Sequence, residues 1–149
     1  MKVLFLDIDG VVCLHEEGVV NWGEGTGDDV FDEGCCRRLK EIVDATDCKL
    51  VLSSFWRLYK KDVLKMLEQL EPFGITIADF HGKTRLLQSR DEEIKDYLAR
   101  HPEIDCYVAV DDEDFSGELF PADRFVLTDL ARGITEEVKT AIIDKLQKP

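Results

Sequence analysis

Apolar residues along the chain fall into short unbroken runs separated by amphipathic stretches. "KVLFLDI" (2–8), "KLVLSS" (49–54), "CYVAV" (106–110) and "RFVLT" (124–128) show no apolar/polar alternation, as expected of strands covered on both faces. "ITI" (75–77), just after Gly74, is the candidate for the third strand in chain order. Between the runs the period lengthens. "FDEGCCRRLKEIVDAT" (31–46) carries Leu39, Ile42 and Val43 at helical spacing. "LYKKDVLKMLEQL" (58–70) sets Leu58, Val63, Leu64, Leu67 and Leu70 on or near one face. "SRDEEIKDYLAR" (89–100) opens on Ser89 as a cap, with acids in the first turn, and "TEEVKTAIIDKL" (135–146) repeats this after Thr135. "GVVCLHEEGVVNWGEGTGDD" (10–29) is polar and Gly-rich around Val19 and Val20, which predicts a flap hairpin over residues 11–28.

Strands alternating with helices predict an α/β fold: a three-layer sandwich around a central, mostly parallel five-stranded sheet. With no repeat or linker, residues 1–149 form one expected domain. In such sheets the site lies beyond the carboxyl ends of the strands, at the switch in strand order. The decisive question is therefore what each strand ends on. The first ends on Asp7 and Asp9, the second on Ser53 and Ser54, the fourth on Asp111 and Asp112, and the fifth on Thr128 and Asp129. Each pair alone is an ordinary turn or cap. Together they bring carboxylates to one crevice, where like charges require a proton or a cation. Strand residues two apart share a face, so a strand carried on to Asp9 turns both early carboxylates the same way. The oxygen-rich set suits Mg²⁺, and no Cys/His cluster favours zinc.

Composition narrows the partners. A net charge of −13 disfavours coating a polynucleotide but permits a small basic pocket for one phosphate. No apolar run approaches the ~20 residues of a bilayer span. Functional acids begin at Asp7, leaving no room for a leader, so a cytoplasmic location is expected. Cys13, Cys35, Cys36, Cys48 and Cys106 are odd in number and show no CxxC spacing, which predicts reduced, non-catalytic thiols.

"FLDIDGVV" resembles motif I of the haloacid dehalogenase (HAD) superfamily, "LVLSS" its motif II and "VAVDD" its motif IV, in the family's order. "LSSFWR", "SRDEEIKDYL" and "LTDLARGIT" are similar to a small uncapped branch that includes the HAD domains of RNA-repair proteins. The resemblance implies a Mg²⁺-dependent phosphomonoester hydrolase working through an aspartyl phosphate. Asp7 is then the nucleophile and Asp9 the general acid and later base. Mg²⁺ is held by Asp7, the backbone carbonyl of Asp9 and Asp112, with Asp111 in support. Ser53 bonds a phosphoryl oxygen, and Gly10 permits close approach of the backbone. The motif III cation is Arg90 or Lys83, with Arg90 preferred because it opens the helix before strand four.

Ser54 and Arg57 are further candidates for substrate contact. Arg57 is a candidate to grip the leaving group, while its neighbour Trp56 is expected merely to pack. Trp22 either lines the entrance or packs within the hairpin. His15 and His81 are expected near the mouth, with a structural role the plainer alternative. Asp129 is a supporting acid or a turn former.

Only short segments follow Asp9 and the third strand, so no separate cap domain is expected and the site is open. Such a site accepts a phosphorylated substrate, either a nucleic-acid end or a small phosphomonoester, or uses another subunit as a roof. Two alternatives compete: a catalytically quiet HAD-like module that binds a partner, and a receiver-type signalling domain with its acceptor Asp after strand three.

Overall fold

The computed structural model describes residues 1–15, 29–117 and 120–148. Trp22 and most of the predicted flap (16–28) lie outside these residues. Strands β1 (Lys2–Leu6), β2 (Lys49–Leu52), β3 (Phe80–Lys83), β4 (Cys106–Asp111) and β5 (Phe125–Leu127) form one sheet in the order β3-β2-β1-β4-β5. Every pairing is parallel. Helices α1 (Glu33–Thr46), α2 (Lys60–Leu70), α3 (Arg90–Arg100) and α4 (Glu136–Leu146) cover it.

The unbroken apolar runs have a direct cause. Leu4, Leu6, Leu50, Leu52, Val108 and Val110 face Leu39 and Ile42 of α1, Met66 and Leu70 of α2, and Ile142 and Leu146 of α4. The intervening Val3, Phe5, Val51 and Ala109 face Ile94 and Tyr97 of α3, together with Phe120. Each fully buried Leu or Phe contributes about 1.5–3 kcal/mol relative to exposure. Right-handed crossovers explain the layering. The chain steps outward from β1 to β2 to β3 with α1 and α2 on one face. It then returns to β4 with α3 on the other. The order reverses at the β1/β4 boundary, which puts a ligand crevice beyond Leu6 and Asp111. No separate cap domain stands among the described residues, and only residues 84–89 separate β3 from α3. No described helix is long and apolar enough to cross a membrane.

Four local expectations are corrected. The third strand is "FHGK" (80–83), not "ITI". Ile75 is fully buried, but Thr76 and Asp79 bond each other's backbone in a capping box that starts a 3₁₀ turn, leaving Ile77 exposed. The buried stripe of α2 runs through Val63, Met66, Leu67 and Leu70, while Leu58 and Leu64 face solvent. Ser89 occupies the N-cap position of α3 without a side-chain bond, and only its carbonyl accepts, from Glu93 N–H at 3.0 Å. Finally, β1 stops at Leu6. Strand β3 ends on Lys83 and Thr84 with no acid, unlike a receiver domain.

Candidate active site

Beyond Leu6 the chain closes on itself instead of extending. The Ile8 carbonyl accepts the N–H groups of Val11, Val12 and Cys13 at 3.0–3.1 Å, and Gly10 takes φ +76°. A Cβ on Gly10 would lie 2.6 Å from Asp112 Oδ2, so only glycine fits there without displacing an acid. Thr128 Oγ1, at the end of β5, donates to the Gly10 carbonyl at 2.7 Å.

This turn sends Asp7 and Asp9 to different neighbours. Asp7 joins Asp111 and Asp112, with one carboxylate oxygen from each within 4.8 Å of the others. Arg90 Nη1 lies 2.8 Å from Asp111 Oδ2 and 3.5 Å from Asp7 Oδ1. Its Nε is 3.5 Å from Glu93 Oε1. Burial pushes the Asp7 carboxyl well above the usual carboxylate range; Asp111 and Asp112 add to this, while Arg90 and the Ile8 N–H oppose it. Burial also raises Asp111, to about 6, against the pull of Arg90 and the Glu113 N–H. Three acids facing one guanidinium leave a negative excess that favours protons or a cation.

The donor set fits Mg²⁺: three convergent carboxylates, no imidazole and no thiolate. The main chain fits as well. The Ile8 and Gly10 carbonyls are occupied, whereas among the described residues none donates to the Asp9 carbonyl.

Asp9 stands apart. His15 Nε2 is 2.8 Å from its Oδ1, and Trp56 Nε1 donates to its Oδ2 at 3.2 Å. The expectation of two carboxylates facing one way thus gives way to one at the acid cluster and one between an indole and an imidazole. The roles of His15 and Trp56 were missed. A contact across 47 positions leaves no local pattern, although the tight turn at Gly10 is the signal that could have returned His15 toward Asp9.

Ser53 follows β2, is 2% exposed, and donates its N–H to the Leu6 carbonyl at 3.0 Å, which seats it beside the start of the turn. Ser54 is buried and caps a short 3₁₀ helix (Phe55–Leu58), its Oγ accepting from Trp56 N–H. Arg57 points inward. It donates to the carbonyls of Ser53, Ser54 and Thr84 and pairs with buried Glu93 at 3.0 Å. It braces the turn after β2 against β3 and α3 and presents no guanidinium to the crevice. Lys83 donates to the Arg57 carbonyl at 3.3 Å, and of the two candidate cations it is Arg90 that meets the acids. Phe55, 63% exposed, lies with its ring 5.7 Å from the Arg90 guanidinium, at the mouth. Asp129 forms a turn, its carboxylate accepting from Ala131 N–H. All five cysteines are buried free thiols. His81 meets Tyr97 and Glu103 and is not part of the cluster of Asp7, Asp111 and Asp112.

Against this geometry, the family model for the HAD domain in Swiss Army Knife RNA repair proteins matches residues 3–138. No match was found among curated proteins or among solved structures.

Proposed function

The chain belongs to the family of HAD domains in Swiss Army Knife RNA repair proteins, and from that premise we propose that it is a Mg²⁺-dependent phosphomonoester hydrolase acting through an aspartyl phosphate. The observation that carries this reading is the division of labour around Gly10, with Asp7 buried among Asp111, Asp112 and Arg90 while Asp9 is held apart by Trp56 and His15.

Asp7, the Asp9 carbonyl and Asp112, with Asp111 behind them, would hold the ion. When bound, it supplies the positive charge that lets an ionised Asp7 approach an anionic phosphate. An Asp7 carboxylate oxygen attacks phosphorus. Arg90 stabilises charge on the phosphoryl oxygens, and Ser53 and the backbone N–H groups near Gly10 bond them. Asp9 delivers a proton to the leaving oxygen, then takes one from the water that cleaves the acyl phosphate. Trp56 and His15 orient Asp9 for both transfers.

The substrate we favour is a phosphorylated nucleic-acid end. The exposed Phe55 ring beside Arg90 suits a terminal base stacked next to its phosphate. The strongly acidic surface suits a terminus better than a long duplex. Five buried free thiols support a reducing, cytoplasmic setting.

The test is phosphate release from an aryl phosphate, from 3′- and 5′-phosphorylated oligonucleotides, and from small sugar phosphates. Release that needs Mg²⁺, stops with a chelator and is fastest on one class of oligonucleotide end supports the reading. Full turnover after verified metal removal sinks it, and equal rates on sugar phosphates remove the nucleic-acid preference.

A further inference from the structure

A second constellation lies at the opposite, amino-terminal edge of the sheet. His81 is the second residue of β3, His101 follows the last turn of α3, and Glu103 sits in the connection to β4. The Ile104 N–H donates to the His101 carbonyl at 3.1 Å, closing a turn that brings Glu103 back beside His101. His81 Nε2 and His101 Nδ1 each lie 3.1 Å from the same oxygen, Glu103 Oε1. One ligand atom from each of the three residues falls within 4.8 Å of the others.

The remaining nitrogen of His81 is also occupied. Nδ1 lies 2.6 Å from Tyr97 Oη. Tyr97 is 3% exposed and packs edge-on against Phe5 at 5.8 Å, so it is a fixed partner. A Cβ on Gly82 would lie 2.6 Å from that hydroxyl, so the glycine keeps room for it. In the tautomer with Nδ1–H donated to the Tyr97 hydroxyl, Nε2 carries the lone pair and faces the Glu103 carboxylate, the arrangement a bound cation takes. In the other tautomer Nε2–H donates to Glu103 instead, so a cation and a proton compete for the same place.

We infer that His81, His101 and Glu103 form a binding site for a zinc-type divalent cation, with Tyr97 fixing the His81 ring for coordination. The 3.1 Å separations are close to the ~3.3 Å edge of a tetrahedron built on ~2.0 Å bonds. Two imidazoles and one carboxylate are a donor set that zinc takes, leaving a fourth position for water. An outer hydrogen bond on the ligating imidazole is the usual companion of such a site. The imidazoles suit zinc and not Mg²⁺, which favours the all-oxygen set at the other edge. The bound ion would tie together a four-residue edge strand, the end of α3 and the connection to β4. No residue is shared with the acid cluster around Asp7, so this site stands or falls independently of the phosphatase reading.

The chain has three histidines, His15, His81 and His101, which makes carbethoxylation mapped by mass spectrometry a direct test. The full chain is treated with ZnCl₂ in excess Mg²⁺, so that the acid cluster is supplied with its own ion. Zn²⁺ should protect His81 and His101 and leave His15 as reactive as before. The thermal midpoint should rise with added Zn²⁺. Competition with a chromophoric chelator should show at least about tenfold weaker binding in Glu103→Gln and in His101→Gln. Both substitutions are on partly exposed side chains, and circular dichroism confirms that the variants fold. Unchanged Zn²⁺ affinity in the Glu103→Gln, His101→Gln double variant overturns the site. So does protection confined to His15, or no loss of reactivity at either His81 or His101.

Discussion

The Asp7 side chain is 9% exposed and surrounded by Asp111, Asp112 and Arg90, whereas that of Asp9, two residues on, is 47% exposed and held by the Trp56 indole and the His15 imidazole. The residue type is the same, and the difference comes from one turn. Because Ile8 gathers three N–H groups and Gly10 takes a positive φ, the backbone reverses between the two carboxylates. Like charge and burial make the first favour a proton or a cation. Indole and imidazole contacts leave the second within reach of water. On the proposed mechanism, such different environments would divide the pair into a nucleophile and a proton carrier.

The largest effect should come from the buried partner. Asp7→Asn should lower turnover on the order of 10⁴-fold or more on every substrate, as loss of a nucleophile does. Asp9→Asn should instead accumulate a hydroxylamine-labile phosphoryl group on Asp7 after a brief pulse of aryl phosphate, located by mass spectrometry. A label on Ser53 or a histidine would erase the distinction between the two acids.

Next, Arg90→Ala should reduce kcat roughly 10²–10³-fold, while Lys83→Ala stays within a few-fold of the parent. Steady-state kinetics on both variants decide this, and the reverse ranking moves the phosphate-facing charge to Lys83.

Smaller is the pH response of the metal-free protein. Asp111, raised to about 6, holds a proton in the folded state that the unfolded chain has already released. Its contribution therefore makes stability fall as pH rises from the ordinary Asp value toward about 6, and the full cost remains above that. Asp7 acts in the same direction. In chelator, the urea-derived stability of Asp111→Asn relative to the parent should grow by on the order of 2 kcal/mol across that window. A flat difference would mean that the acid cluster is not short of positive charge.

The mildest change is on the Asp9 side. Trp56→Phe keeps the packing on Phe31 and removes one donor. It should cost roughly tenfold in kcat/KM on an alkyl phosphate, whose leaving group needs a proton, and little on an aryl phosphate. Equal losses on both would reduce Trp56 to a packing residue.

Much of this contrast was legible in the sequence, but not all of it. Asp7, Ser53 and Asp111 follow or end apolar runs, and a parallel sheet must deliver strand ends to one edge, so their convergence could be anticipated. The helices announced themselves through stripes such as Leu39, Ile42 and Val43. Strand β3 did not, because "FHGK" is a partly exposed edge strand with a mixed composition, while the β-branched "ITI" is diverted by the Thr76–Asp79 capping box. Arg57 was expected as a candidate for gripping the leaving group. Its inward course depends on carbonyls at Ser53, Ser54 and Thr84 and on Glu93, which only the folded chain assembles. Asp9 was misplaced for a related reason, since a period-two argument holds only while the strand lasts, and β1 ends at Leu6.

The turn that separates the two carboxylates is held from far down the chain. Thr128 bonds the Gly10 carbonyl, the Ile134 N–H bonds the Val11 carbonyl, and the His15 N–H bonds the Leu130 carbonyl. The consequence is temporal. On the ribosome Asp7 and Asp9 emerge well before the segment that shapes their turn, since Thr128 follows Gly10 by 118 positions, on the order of ten seconds at ordinary synthesis rates. A nascent chain therefore carries its acids long before the turn that arranges them can close, and a chain cut before Thr128 keeps Asp7 and Asp9 without the contacts that hold that turn.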